Sequence, residues 1–230
     1  MKSSDSRQKS GSILQESLKR GFDILLAGFG LILSSPVWLM AGIAIVAEDG
    51  PPVFFTQSRW GKGGRNFAAL KFRSMRKGSE KERSVQAGQE DPRITRVGRF
   101  LRACAMDELP QLWNIFVGDM SFVGPRALPI NEIQSSESDK YIPDEAIAGF
   151  KERLAVRPGL TGIAQIFADR DTTRARKFRY DLFYIRRQSF WLDLRLIFMS
   201  FYISFLGRWE VRGNKFKKTG DRIQETGIKS

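Results

Sequence analysis

Residues 24–47 read ILLAGFGLILSSPVWLMAGIAIVA, and no charge interrupts them. As one straight helix they would be roughly 36 Å long, enough to cross the roughly 30 Å hydrocarbon core of a bilayer. Near the middle stands Ser34-Ser35-Pro36. A proline there removes one helix hydrogen bond and collides with the preceding turn. Neighbouring serine hydroxyls can take up the freed carbonyls. The two half-helices would each be roughly 16 Å long, too short to cross alone. The pattern leaves two readings open: a kinked helix that spans, and a helix–break–helix hairpin that enters and leaves by one face. The flanks do not separate them. Lys19 and Arg20 precede the run, Glu48 and Asp49 follow it, and Arg59, Lys62 and Arg65 come soon after.

The rest of the 230-residue chain is polar enough to favour one domain beside this apolar element, and hydrophobic residues at 42% suffice for a core. The net charge is +13, from 38 basic and 25 acidic residues. A surface that basic attracts an anionic partner: nucleic acid, phospholipid headgroups or phosphorylated substrates. There is no histidine and a single cysteine, Cys104. That excludes Ser-His-Asp and Cys-His catalysis, His-ligated zinc, a Cys metal cluster and an internal disulfide. Acids, bases and nucleophiles must come from Asp, Glu, Lys, Tyr or Ser. Any metal held by side chains must be a hard ion such as magnesium.

Outward from the apolar run, residues 1–17 are polar, Ser/Lys-rich and expected to be disordered; they do not read as the start of a signal peptide. Residues 52–75 predict a β-hairpin, with VFFTQSRW and RNFAALKF as strands and Gly61-Lys62-Gly63-Gly64 as the turn. Residues 76–93 are charged and poor in large apolar side chains, which reads as a polar loop or a lid. Helical spacing returns over 94–122, with Gly118 as its stop. Pro158-Gly159 and Thr161-Gly162 mark turns, and 173–206 is helical again. There RARKFRYDLFYIRRQ is basic and aromatic, and FWLDLRLIFMSFYISFLGRW is apolar. Aromatics beside arginine suit amphipathic helices lying at a membrane surface. The uncharged stretch 196–206 is too short to span.

Asp107-Glu108 is the strongest chemical candidate. Helical spacing follows it, and Pro110 suits a first turn. Adjacent helical residues point roughly 100° apart, so one carboxylate could attack phosphorus while the other holds a metal. The competing reading is structural: Asp107 as an N-cap and Glu108 as a first-turn acid. Arg102 lies five residues before Asp107, and its fork matches phosphate oxygens, although a surface arginine reads the same. Gly124-Pro125-Arg126 is either a phosphate contact or a helix stop.

A longer set of strings carries a resemblance. In order they are Lys19-Arg20-Gly21-Phe22-Asp23, Ser35-Pro36, Gly50-Pro51-Pro52-Val53-Phe54-Phe55, Gln57 with Arg59 and Gly61, and Lys71-Phe72-Arg73-Ser74-Met75. Next come Asp91-Pro92-Arg93-Ile94-Thr95, Gly98 with Leu101-Arg102, and 107–114 (DELPQLWN). The last are 118–126 (GDMSFVGPR), 157–162 (RPGLTG), Gln165, Asp181 with Tyr184, and Asp193. On these the chain resembles the small monotopic phosphoglycosyl transferases, bacterial sugar transferases that start exopolysaccharide, O-antigen and glycoconjugate assembly. The resemblance implies an α/β fold with mostly helix: a re-entrant membrane helix broken at Ser35 and Pro36, a small β-hairpin and amphipathic interfacial helices. It implies a catalytic pair in which Asp107 is the nucleophile and Glu108 a magnesium ligand, with Asp107 open as a second ligand. It further implies phosphate binding by Arg102, Lys71 and Arg73, and nucleotide contact by Pro125 and Arg126. Two departures stand out. Ala105-Met106 occupies the place of the family's Ser/Thr-Leu, and Ala127 follows Pro125-Arg126 where the family reads Pro-Arg-Pro.

The implied substrates are a UDP-sugar and undecaprenyl phosphate, with membrane lipid as a further partner, no nucleic acid, and a homo-oligomer left open. The implied location is the bacterial inner membrane, with the catalytic domain on the cytoplasmic face. The domain plan is a disordered segment at 1–18, the membrane helix at 19–48, the catalytic domain at 49–206 and a basic tail at 207–230. No motif selects galactose, glucose or an amino sugar. Two other classes compete. One is an inactive membrane scaffold of a polysaccharide assembly complex. The other is a nucleic-acid binder, which leaves the apolar run and the acidic pair unexplained.

Overall fold

The computed structural model describes residues 2–79, 91–130, 143–169 and 172–205, with side chains from Gln15 to Ser204. The centre of the polar 76–93 stretch and the tail at 207–230 lie outside the described residues. Helix dominates. α1 (Lys2–Asp49) is followed by β1 (Phe54–Trp60) and β2 (Asn66–Phe72), then α2 (Arg96–Ala103), α3 (Gln111–Val117) and β3 (Ser121–Val123). α4 (Phe150–Arg153), β4 (Gly159–Thr161), α5 (Ile163–Phe167), α6 (Arg174–Arg187) and α7 (Phe190–Phe205) complete it.

β1 and β2 form the expected antiparallel hairpin, in register from Phe54↔Phe72 to Trp60↔Asn66. The second sheet has no counterpart among the expected elements. β3 and β4 pair in parallel, with Ser121 opposite Gly159 and Val123 opposite Thr161. Each strand is only three residues long, so neither shows a period against the helical spacing and turn residues around it. Backbones meet closely here: Gly159 N donates to Pro125 O at 2.8 Å and Gly124 N to Thr161 O at 3.0 Å. A Cβ on Gly124 would overlap the carbonyl of Arg157. The helical span 94–122 is also corrected. After α2 the chain turns through Ala105 in the left-handed region (φ 54°), makes a 3₁₀ turn at Met106–Glu108, and only then enters α3, which Gly118 ends at φ 103°.

α1 is one unbroken helix through Pro36 and is apolar and long enough, by length and composition alone, to cross a membrane. It begins at Lys2, within the segment expected to be unstructured. Proline cannot donate to the carbonyl of Ile32, four residues back. Ser35 Oγ donates to that carbonyl instead, at 2.8 Å, and Ser34 Oγ to Leu31 O at 3.5 Å. Ser35 thus satisfies the acceptor that the proline frees. Around this point the side chains are bare, with Ile32 77% and Leu33 69% exposed.

On both sides of the bare centre α1 is tied to the same domain. Towards its start, Lys19 Nζ meets Asp193 Oδ2 at 2.5 Å, and Arg20 donates to the carbonyls of Ile115 and Phe116 at 2.6 and 2.8 Å. The buried Asp23 accepts from Phe122 N at 3.1 Å. Ala27 joins the main core with Leu112, Ile115, Phe122, Ile163 and Tyr184. Towards its end, Ala41 and Ile45 pack on Phe72 and Leu101, with Met106 and Leu109 against the same cluster. Glu48 accepts from the amides of Arg96 and Val97 at 2.7 and 2.8 Å, capping α2.

Gly124→Ala should therefore force β3 from β4 and lower stability by about 2 kcal/mol or more, the scale of overpacking against backbone that cannot yield. Thermal unfolding in detergent or nanodiscs reads this as a lowered Tm.

Candidate active site

Asp107 and Glu108 sit in the 3₁₀ turn between α2 and α3, both half-buried. Neither caps a helix: α3 has Pro110 at its N-cap, and no side chain caps the turn or α3. Asp107 is thus not an N-cap, and both acids lie in the first turn of the 3₁₀ helix.

Four neighbours position the pair. Asn114 on α3 donates to Ala68 O at 2.9 Å and accepts from Leu70 N at 2.9 Å, so it clamps α3 onto β2. One residue further along β2, Lys71 Nζ meets Glu108 Oε1 at 2.6 Å. Arg126 Nη2 lies 3.7 Å from the same oxygen, with its side chain 49% exposed. Behind it Arg153 donates to Arg126 O at 2.7 Å and pairs with Asp181 at 3.0 Å. α2 supplies the fourth neighbour. Gly98 packs on Ser74 so closely that a Cβ would overlap its carbonyl, and Arg102 Nε donates to Ser74 Oγ at 2.8 Å.

The two carboxylates differ. Burial opposes ionisation of Glu108, but the positive charges of Lys71, Arg126 and Arg59, with the hydrogen bond from Lys71, outweigh it and hold its pKa at about 2 against 4.5. Burial pushes Asp107 up, Lys71 and Arg102 pull it down, and Glu108 adds repulsion; the balance is a raised pKa. Among the described residues no other side chain pairs with Asp107. One carboxylate is locked by cations, and its neighbour is more basic and open.

Of the sequence-predicted residues, Asp107, Glu108, Lys71 and Arg126 come together, with Arg102 close enough to act on the charge of Asp107. Pro125 is buried beneath Arg126. Arg73 lies elsewhere in role: it is 4% exposed, donates to the carbonyls of Asp49 and Gly50, and meets Asp49 Oδ2 at 3.3 Å. The alternation of β2 puts Lys71 and Arg73 on one face, and Arg73 turns its Nη2 to the end of α1. Sequence reasoning gave no role to Arg59, which donates to Ala127 O at 2.8 Å and adds to the field at Glu108. Ser74 and Asn114 were also missed. All three lie in the strings that carried the resemblance.

Magnesium chemistry fits this donor set in one respect. Two adjacent hard carboxylates, one without a cation, can serve an ion that takes most of its ligands from phosphate and water. Among the described residues there is no group of three or more acidic, His or Cys side chains that could hold a metal by itself.

The chain matches the family described as bacterial sugar transferase over residues 14–207. It is 38% identical over 195 residues to the UDP-glucose:undecaprenyl-phosphate glucose-1-phosphate transferase of Klebsiella pneumoniae, covering 83% of this chain and 40% of that protein. Identity is 42% over 187 residues to an Aeromonas hydrophila UDP-N-acetylgalactosamine-undecaprenyl-phosphate N-acetylgalactosaminephosphotransferase, covering 80% and 42%. The exopolysaccharide production protein PSS of Rhizobium leguminosarum bv. phaseoli is 37% identical over 187 residues, covering 79% and 92%. The chain thus spans about two-fifths of the first two relatives and nearly all of the third.

Because its neighbours depress the pKa of Glu108, the stability they contribute is full above pH 4.5 and is lost as the pH falls towards about 2. Lys71→Met should raise that pKa by about one to three units and carry the acid limb of stability upward with it. Carboxyl carbon NMR across pH reads the shift directly.

Proposed function

The chain belongs to the bacterial sugar transferase family, and we propose that it moves a sugar phosphate from a UDP-sugar to undecaprenyl phosphate, releasing UMP. The single observation that carries this reading is the asymmetry of the pair. Asp107 is a carboxylate made more basic by burial and faced by the charges of Lys71 and Arg102, while Lys71, Arg126 and Arg59 hold Glu108 ionised. That is an arrangement for a nucleophile acting on an anionic phosphate. The names of the relatives supply the substrate class.

In this reading a carboxylate oxygen of Asp107 attacks the sugar-linked phosphorus. The bond to the bridging oxygen breaks, and UMP leaves with that electron pair. The sugar phosphate stays on Asp107 as an acyl phosphate. An oxygen of undecaprenyl phosphate then attacks the same phosphorus, and the aspartate leaves as a free carboxylate. A phosphate oxygen is already a nucleophile near neutral pH, so this route needs no histidine base. Arg102 and Arg126 hold the phosphates, and Lys71 keeps Glu108 in place and charged. When bound, magnesium would neutralise charge on the diphosphate, held by Glu108 and open to Asp107.

α1 is read as re-entrant. Lys19, Arg20 and Asp23 before Pro36, and Glu48 and Asp49 after it, all bind the same domain. A helix crossing the bilayer would carry one of these sets to the far side. The bare centre around Ile32 would then sit in one leaflet of the inner membrane. Exposed aromatics on α2, α3 and α7, among them Phe100, Trp113, Trp191 and Phe201, would rest at its cytoplasmic surface.

Two experiments test this. Asp107→Asn should lose turnover by orders of magnitude. The wild type, given UDP-sugar and magnesium without acceptor, should gain the mass of one sugar phosphate, and the variant should not. UMP release only with both substrates present, and no adduct, would replace the covalent route by direct transfer; full activity in the variant would remove Asp107 as the nucleophile, and a wild type without turnover would leave the scaffold reading. Separately, cysteines placed near Ser12 and at Arg65 should both be shielded from an impermeant reagent outside intact cells, whereas labelling of one alone would show a spanning helix.

A further inference from the structure

Glu108, Gln111 and Asn114 stand three residues apart, and the chain between them turns tightly. Leu109 N donates to Met106 O at 3.1 Å, Leu112 N to Leu109 O at 3.0 Å and Trp113 N to Pro110 O at 3.1 Å. Turns of three residues set side chains at i and i+3 over one another, so the three polar residues form one stripe. Both of its ends face β2. Glu108 Oε1 meets Lys71 Nζ at 2.6 Å, and Asn114 is bonded to Ala68 O and Leu70 N, each at 2.9 Å. Between them Gln111 is 2% exposed. Its Nε2 is enclosed and has no hydrogen-bond partner among the described residues. One turn away, Glu108 is engaged through a single oxygen. Lys71 and Arg126 both approach Oε1, at 2.6 and 3.7 Å, and among the described residues no hydrogen bond reaches Oε2.

We propose that Gln111 is a positioning residue of the active site, whose side-chain amide donates to Glu108 Oε2 once Arg126 has turned to the diphosphate of the donor substrate. The proposal rests on the UDP-sugar reading above. Three observations carry it. Arg126 is half-exposed and only 3.7 Å from Oε1, so phosphate oxygens compete with Glu108 for its guanidinium. Lys71 then holds Glu108 alone, through one oxygen, and a carboxylate held at one oxygen still rotates about its last bond. A second donor, at Oε2, fixes its plane. Gln111 is placed to be that donor. Side chains one helical turn apart have Cβ atoms roughly 5–6 Å from each other, a gap that a glutamine and an acid close. The amide is also neutral, so it orients Glu108 without cancelling its charge. Finally, packing does not account for the donor. Asn114 already clamps α3 to β2, and a buried amide with nothing to bond lowers stability where an apolar side chain of the same size would not.

The test uses the full-length enzyme in nanodiscs, with the UDP-sugar that the wild type turns over. Gln111→Met keeps the length and bulk of the side chain and removes the donor. Tm should hold or rise, because an unpaired buried donor is gone. Against that, kcat should fall by about tenfold or more, the scale of a reacting group left loosely aimed. KM for the UDP-sugar and for undecaprenyl phosphate should stay within about twofold, since Gln111 touches neither. A second measurement reads the bond itself. With glutamine labelled by nitrogen-15, the side-chain signal of Gln111 is the one missing from Gln111→Met. Adding UDP-sugar and magnesium to the Asp107→Asn enzyme, in which transfer is blocked, should move its amide proton downfield, as a bond to a carboxylate does. An unchanged kcat in Gln111→Met would overturn the proposal. So would a loss of activity matched by a lowered Tm, which would make Gln111 a packing residue, or an amide signal that loading leaves in place. A wild type that turns over no UDP-sugar would instead defeat the function itself, and the proposal with it.

Discussion

Asn114 uses both ends of its side-chain amide on β2, giving to Ala68 O and taking from Leu70 N, while its own carbonyl accepts the amides of Gly118, Asp119 and Met120 at the end of α3. A buried amide satisfied in this way is geometrically exacting, because each partner left unmade costs a desolvated polar group. It therefore sets the distance and rotation of α3 relative to the hairpin. Everything chemical follows from that placement. Lys71 is one residue beyond the clamp on the strand, and Glu108 is in the turn leading into the helix. Their contact holds the site's charge in balance.

A second layer holds Arg102 and Arg126, the cations proposed to face phosphate. Arg102 is set by the bare backbone contact at Gly98 and by Ser74. Arg126 is set by the glycine-lined meeting of β3 and β4 and by the buried Arg153 behind it. Arg20 and Arg157 take the carbonyls at the end of α3, where positive charge also suits the helix dipole. Several of the arginines are thus internal mortar. Composition alone reads them as a surface waiting for an anion.

The hairpin and the apolar helix were legible because their periods and turn residues are strong and local. The carboxylate pair and Arg102 were legible as candidates, and the resemblance ordered them. The parallel β3–β4 pair was not legible, because three-residue strands carry no period. The contacts of Arg73 were not legible for a related reason: β-alternation says which face it is on, but not that the end of α1 passes that face and takes its Nη2. Arg59 and Asn114 were invisible as site residues because their partners are main-chain carbonyls and amides far away in sequence, which no local pattern records.

The way α1 is built in has a practical side. Its Glu48 carboxylate caps α2, its Asp23 receives a strand amide, and Ala41 and Ile45 complete the core behind Met106 and Leu109. The long apolar helix is also a structural wall of the domain. Deleting it to obtain a water-soluble fragment would strip caps and core together, so solubility has to be sought by recolouring the bare residues around Ile32 and leaving the helix in place.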